Sequence, residues 1–192
     1  MEKSSKNSSA AQSISGSVTE YFENGDRFEG SWKNGLKEGK GILYMTSGDR
    51  FEGSWSKDVR AGKGVIYYAN GDKYEGDFEA DQRSGMGIYV WANGDSYEGE
   101  WSEDLRQGNG TKVWMKDGDV YKGEWAKDLK HGVGEYLWKN GDRYVGKWVK
   151  GFMQGNGKKY YWNGDVYEGK WSKVCFVVYF SFKRCKSLFF YK

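Results

Sequence analysis

Residues 93–101 read Asn-Gly-Asp-Ser-Tyr-Glu-Gly-Glu-Trp, which combines a turn signal with a strand pattern. Because side chains alternate along a strand, Tyr97, Gly99 and Trp101 share one face of that strand. The pattern recurs through the chain, and its first aromatic residue returns every 23 residues, with one spacing of 24. The members of this series are Phe28, Phe51, Tyr74, Tyr97, Tyr121, Tyr144 and Tyr167. A fixed period of this length predicts a repeat protein whose units mainly contact their neighbours.

Each copy of the pattern uses glycine at fixed positions. Glycine lies two residues after the first aromatic residue, and a Gly-x-Gly pair such as Gly39/Gly41 closes a polar loop further on. A second short strand follows, predicted at 42–45 in one copy and at 135–138 in another. Glycine weakens the interior of a strand, so its regular use predicts close approach by a neighbour, here an indole ring.

The length of the hairpin turns decides which side chains share a face. A two-residue turn, the usual form for Asn-Gly, points Trp91 away from Tyr97. A three-residue loop at 92–94 instead places both rings on one face and a glycine opposite each large ring. A one-residue slip flips every side chain, so the two are real alternatives. We favour the three-residue loop, with a four-residue loop at 115–118 in the copy that is one residue longer.

The motif Tyr-x-Gly-x-Trp, followed by a loop and Gly-x-Gly, resembles the MORN repeat (membrane occupation and recognition nexus). Six full copies and a half copy at each end cover residues 18–173, about four fifths of the chain. The resemblance and the strand pattern together predict an all-β fold. We expect an elongated single-layer antiparallel meander of about 14 short strands, forming a twisted ribbon with an aromatic groove.

Two segments lie outside the predicted array. Residues 1–17 contain seven serines and few apolar residues, so we expect this segment to be disordered. No apolar stretch typical of a secretory signal follows the first methionine. Residues 174–192 lose the repeat pattern and form an aberrant basic and aromatic tail, which we interpret as read-through or a truncated gene model. The rival interpretation is a membrane-surface segment.

Charge and residue types argue against catalysis and against nucleic-acid binding. Lys and Arg total 30 against 27 acidic residues, and the excess lies in the tail, so the repeats are close to neutral. Nucleic-acid binding needs a net basic face. His131 is the only histidine, and the Asp that follows each Asn-Gly belongs to turn chemistry. We predict no catalytic residue, no cofactor and no metal site.

The aromatic face is the candidate binding surface. Aromatic residues on a covered strand face usually form core, but a curved ribbon leaves part of each ring exposed along a groove. A continuous exposed aromatic strip is an interface. We expect a segment of a partner protein to lie along the middle repeats. The residues predicted to line the groove are Tyr74, Trp91, Tyr97, Trp101, Trp114, Tyr121 and Trp125.

The resemblance implies a non-enzymatic scaffold or targeting module that binds a protein partner, in the cytoplasm and peripherally at the plasma membrane or cytoskeleton. Two alternatives stay open. One is the amino-terminal regulatory region of a larger enzyme, a phosphatidylinositol phosphate kinase or a SET-type histone methyltransferase, and the other is a phospholipid binder. An open sheet edge allows a homodimer. If the chain binds a membrane surface, we expect weak binding through the basic residues of the tail, which are Lys183, Arg184, Lys186 and Lys192.

Overall fold

The computed structural model describes residues 16–174. They belong to two compact units, which are divided between residues 92 and 93. The predictions for the serine-rich segment fall almost wholly outside the described residues, and so do those for the tail and its membrane-binding lysines and arginine. Strand β1 already begins at Gly16.

Each unit consists of seven antiparallel strands in sequence order. The first unit contains β1 (Gly16–Tyr21), β2 (Arg27–Lys33), β3 (Leu36–Tyr44), β4 (Arg50–Ser56), β5 (Val59–Tyr67), β6 (Lys73–Glu79) and β7 (Gln82–Val90). The second unit contains β8 (Ser96–Ser102), β9 (Leu105–Trp114), β10 (Asp119–Ala126), β11 (Leu129–Leu137), β12 (Arg143–Val149), β13 (Phe152–Tyr160) and β14 (Val166–Val174). The described residues contain no helix. The predicted all-β antiparallel meander of fourteen strands is confirmed.

The hairpins that carry the Gly-Asp signal have the predicted loop lengths. At 23–25, the Phe22 N–H donates to the Asp26 carbonyl at 2.9 Å, and the Gly25 N–H donates to the Phe22 carbonyl at 2.9 Å. The same bonds define three-residue loops in other hairpins of both units. The loop at 115–118 has four residues, and Asp119 pairs with Trp114 across it. The favoured register is therefore confirmed for the hairpins inside each unit.

The other connections are not the long loops that we predicted from the Gly-x-Gly pairs, and that prediction was wrong. The chain turns through two residues, Asn34-Gly35 with φ of 54° and 76°, or Lys57-Asp58 with φ of 51° and 71°. Two successive left-handed residues form a type I′ turn, whose twist matches that of antiparallel strands. The second strand therefore begins directly after the turn. Strand β3 starts at Leu36 rather than at residue 42.

The two glycines of each Gly-x-Gly pair have different tasks within this longer strand. Gly39 has φ of 86° and lies where the register of β2 and β3 shifts, at a bulge. Gly41 pairs with Gly30 beneath the ring of Phe28. A Cβ on Gly30 would lie 2.6 Å from Phe28 Cζ. The expected close approach is thus present, but the ring is a phenyl or phenol, not an indole, and it comes from the strand of Gly30, which is the neighbouring strand for Gly41.

Interlocking rings form the core of each unit on one face of the sheet. In the first unit, Phe28 packs edge-on against Trp32 at 5.4 Å and Trp55 at 5.3 Å. In the second, Tyr121 packs in the same way against Trp125 at 5.2 Å and Trp148 at 5.3 Å. Such pairs stabilise by about 0.5–1.5 kcal/mol beyond their buried area. We call the buried rings of this series the inner row: Phe28, Trp32, Phe51, Trp55, Tyr74, Phe78, Tyr97, Trp101, Tyr121, Trp125, Tyr144 and Trp148.

Strand β1 departs from the repeat where it borders the inner row. Val18 lies opposite Gly30, whereas the corresponding residue of β3, Gly41, lies opposite a glycine of β4. The indole N–H of Trp55 donates to the Gly41 carbonyl at 3.3 Å. The equivalent N–H of Trp32 is buried without a partner among the described residues. The half copy at the start of the first unit is therefore only an approximate copy of the others.

Candidate partner-binding face

The seven predicted groove residues fall into two sets by burial. Tyr74, Tyr97 and Tyr121 are 0 % exposed, and Trp101 and Trp125 are 5 % and 4 % exposed. Side chains this buried belong to the inner row and offer a partner almost no surface. The remaining two of the seven, one in each unit, are half-buried. The groove stays a prediction, and among its seven predicted residues Trp91 and Trp114 have the most exposed surface.

Trp91 and Trp114 belong to a second line of aromatic residues at the start of the Gly-Asp loops, which we call the outer row. Its members lie on the same face as the inner row and are half-buried or exposed. Sequence reasoning missed most of them, although each lies six residues before a first aromatic residue, or seven in the longer copy. The outer row is Phe22, Tyr68 and Trp91 in the first unit, and Trp114, Trp138 and Tyr161 in the second.

Buried neighbours hold the outer row in place. The Trp114 and Trp138 rings lie 5.6 Å and 4.7 Å from the ring of Tyr136. The Tyr136 hydroxyl donates to Asp119 at 2.7 Å. Burial and the neighbouring Asp119 carboxylate both raise the pKa of Tyr136, so this phenol stays protonated and keeps donating at physiological pH. The two indoles of the second unit therefore rest on a fixed support.

Cationic side chains from the type I′ end of the strands reach over the inner row. In the second unit, the Arg106 guanidinium lies 4.4 Å from the Trp125 ring, and its Nε donates to Asp128 Oδ1 at 2.8 Å. In the first unit, Arg60 makes the same bond to Asp81 at 3.0 Å. Cation–π contact and an ion pair act together at each site. These cations cover the inner row and help to exclude water from it.

Two buried ion pairs complete the aromatic face of the second unit. Lys112 Nζ lies 3.4 Å from Asp95, and Lys159 Nζ lies 3.0 Å from Asp142. All four residues are buried. The corresponding residue in the first unit is apolar at Ile66. A buried charge costs free energy unless it is paired, so each lysine depends on its aspartate.

The Lys159–Asp142 pair predicts a pH effect on stability. Burial alone would raise the pKa of Asp142, but hydrogen bonds from Lys159 and the Trp162 amide outweigh it and hold that pKa below its usual value. A lowered folded pKa stabilises the fold above the unfolded pKa of about 3.9, and this contribution is lost as pH falls through the folded pKa. We expect Asp142→Asn to lower the melting temperature at pH 7 and to flatten its decline below pH 4, measured by circular dichroism.

The partner variant Lys159→Met is the control for this assignment. It removes the main cation that favours ionised Asp142, so it should flatten the same part of the profile. Acid profiles of both variants that run parallel to that of the unmodified chain would contradict the assignment.

Residues 16–174 contain no helix that could cross a membrane. Within the same residues, no three or more His, Cys, Asp or Glu side chains are grouped to hold a metal ion.

A comparison with solved structures found two peptide complexes among its matches. The TCP domain of SAS-4 (dCPAP) of Drosophila melanogaster, in complex with a proline-rich motif of Ana2 (dSTIL), is 15 % identical with a TM-score of 0.48, covering 88 % of this chain and 97 % of that one. The TCP10 domain of Danio rerio CPAP, in complex with a STIL peptide, is 14 % identical with a TM-score of 0.34, covering 79 % and 77 %. A comparison with curated proteins found no match.

The family comparison agrees with the repeat pattern. A family model described as the MORN repeat matches residues 28–50, 51–73, 74–96, 97–118, 121–143 and 144–166. Each match begins at a first aromatic residue of the series that defines the period. Because these six matches cover well over half of the chain, the protein belongs to the MORN repeat family.

Proposed function

We propose that this MORN repeat protein is a non-enzymatic scaffold that binds a segment of a partner protein on its aromatic face. The observation that carries the proposal is the outer row of the second unit. Trp114 and Trp138 are half-buried and Tyr161 is 38 % exposed, and all three stand beside a closed, buried inner row. We place this activity in the cytoplasm, peripherally at the plasma membrane or cytoskeleton.

The energetics of protein interfaces support the outer row as the contact. Tryptophan and tyrosine are enriched among the residues that dominate binding, and truncating one often costs about 2 kcal/mol or more. Binding is also favoured when the contacting side chains are already ordered. Trp114 meets this condition because its ring packs against Tyr136, whose hydroxyl is bonded to Asp119.

A peptide selection tests the proposal and does not require the identity of the partner. The full chain is used to select binders from a displayed random peptide library, and calorimetry then measures the affinity of the best peptide. We expect Trp114→Ala to weaken its binding by about thirtyfold, which corresponds to 2 kcal/mol. The circular dichroism spectrum should not change, because the Trp114 ring is only half-buried.

The matched control is Val133→Ser, on the opposite face of the same unit. Val133 is 63 % exposed, and the register of β11 and β12 places it opposite Lys147, away from the aromatic face. Binding should survive this change. If Val133→Ser abolishes binding and Trp114→Ala does not, the partner lies on the opposite face and the proposal is wrong.

A further inference from the structure

The spacing of the outer row in the second unit indicates what kind of segment it binds, an inference that rests on the proposed function. Trp114, Trp138 and Tyr161 lie at the ends of β9, β11 and β13, so each step along the row crosses two strands. Neighbouring strands lie about 4.7–4.9 Å apart, which makes one step roughly 9.4–9.8 Å.

Contacts with shared neighbours set upper limits on the separation of these rings. Lys159 Nζ lies 4.7 Å from the ring centroid of Trp138 and 4.6 Å from that of Tyr161. The two centroids are therefore at most about 9.3 Å apart, the sum of these distances. Trp114 and Trp138 both contact Tyr136, at 5.6 Å and 4.7 Å, which limits their separation to about 10.3 Å. The first limit lies about 0.1 Å below the step that the strand spacing gives, and the second lies above it, so neighbouring rings of the row stand no farther apart than about two strands.

Among regular backbone conformations, polyproline II fits this step best. It has three residues per turn and rises 3.1 Å per residue, so the same face returns every ~9.3 Å. An α-helix presents the same face again after seven residues, or ~10.5 Å. Over two steps of the row, its side chains would therefore be displaced from the rings by about 2 Å. An extended strand presents the same face every ~6.6–6.8 Å and matches no step. For a polyproline II segment, the mismatch between its repeat and the ring positions stays within about 1 Å over all three rings.

Three of the cations on this face are already paired with carboxylates of the chain. Lys112 is paired with Asp95, Lys159 with Asp142, and Arg106 with Asp128 within the chain. Between these neutralised pairs the outer row presents aromatic surface. Apolar rings such as proline match a surface of this kind, and neither an acidic nor a basic segment gains a counter-charge from these three pairs.

We propose that the outer row of the second unit binds a proline-rich partner segment in the polyproline II conformation. Proline at positions i, i+3 and i+6 packs against Trp114, Trp138 and Tyr161 in turn. The 192 residues of the sequence contain no proline, so the segment does not lie among them. Its preformed conformation lowers the entropy lost on binding, as in other aromatic grooves that bind such segments.

Two synthetic peptides of identical composition test the period. One is Gly-Pro-Ser-Ala-Pro-Ser-Ala-Pro-Ser-Gly, and the other has its prolines separated by two and then by four positions. NMR titration of the full chain, followed at the indole N–H signals, measures both affinities. We expect the period-three peptide to bind at least tenfold more tightly. Trp138→Ala should weaken its binding at least tenfold, whereas Val133→Ser, on the other face of β11, should leave it unchanged.

The outcomes separate this inference from the function on which it rests. Equal affinity for the two peptides, or binding of the period-three peptide that Trp138→Ala does not change, overturns the proline assignment. If a library-selected peptide without this period still depends on Trp114, only the proline assignment fails and the binding module stands. If no peptide responds to Trp114→Ala or Trp138→Ala, both proposals fail. Retained circular dichroism is required of every variant.

Discussion

Gly110→Val is expected to lower the free energy of unfolding by about 3 kcal/mol or more. A Cβ at Gly110 would lie 2.5 Å from Tyr97 Cε2. Tyr97 has no exposed surface, packs edge-on against Trp101 at 5.2 Å and Trp125 at 5.3 Å, and donates its hydroxyl to the Glu100 carbonyl. The ring cannot move aside, and overpacking a closed core costs 1–3 kcal/mol or more. Urea denaturation followed by circular dichroism measures the loss.

Asn109→Ala is the matched control, because Asn109 is the exposed neighbour of Gly110 on the same strand. Its cost should stay near 0.5 kcal/mol, as for most surface substitutions. A second test uses the contact itself: in a Tyr97→Ala background, Gly110→Val should add much less destabilisation than it does alone. Equal costs in the two backgrounds would show that the ring does not exclude a side chain at Gly110.

Trp125→Ala is expected to destabilise the second unit by about 3–5 kcal/mol, the usual range for truncating a buried tryptophan. The indole of Trp125 contacts Tyr97 at 5.3 Å and Tyr121 at 5.2 Å, one on each side. Its N–H also donates to the Gly110 carbonyl at 3.1 Å. Removing the indole therefore opens a cavity between two repeats and leaves a carbonyl without its donor. Denaturant unfolding and hydrogen exchange of β9–β11 measure the effect.

Trp171→Ala supplies the comparison at the end of the same unit. Trp171 is half-buried on β14 and packs against Tyr144 at 5.0 Å and Tyr167 at 5.2 Å. In a linear stack, damage to an end repeat frays locally, whereas damage in the interior uncouples its neighbours. We expect Trp171→Ala to raise hydrogen exchange in β13 and β14 only. Equal losses for Trp171→Ala and Trp125→Ala would contradict a nearest-neighbour stack.

Hairpin register could be predicted from sequence because a local steric rule fixes it. Across the loop at 139–141, Gly132 lies opposite Trp148 and Gly134 lies opposite Gly146, so residues without side chains face the large ring and each other. A Gly-Asp loop with an odd number of residues produces this pairing. In the copy that is one residue longer, the loop must have an even number of residues. The 23-residue period therefore held enough information to set the register.

The type I′ turns without glycine could not be predicted, because contacts between repeats stabilise their unusual backbone. Asp81 has φ of 68°, which a non-glycine residue rarely adopts. Its carboxylate accepts the Arg60 N–H at 2.9 Å, and its own N–H donates to the Arg60 carbonyl at 3.1 Å. These bonds join residues 21 positions apart. The residues next to Asp81 in the sequence therefore do not reveal these bonds.

The groove was predicted only in part for a related reason. Inner and outer rings are both aromatic and share a face, so residue type and alternation do not separate Trp125 from Trp114. What separates them is the covering: the Arg106 guanidinium lies over Trp125, whereas the Trp114 ring stays half-exposed at the loop end of the sheet. On this single-layer sheet, the burial of an aromatic ring depends on whether a long side chain from the type I′ end of the strands covers it.

Val18 in β1 has a consequence for how arrays of this kind lengthen. The corresponding residue of β3, Gly41, lies beneath the ring of Phe28 on its partner strand. A duplicated copy inserted directly before β1 would place its own first ring against the Val18 side chain, in the space that glycine keeps clear in the repeats. A further repeat can therefore pack before β1 only if Val18 is first replaced by glycine. One codon thus limits the number of copies that gene duplication can add at this position.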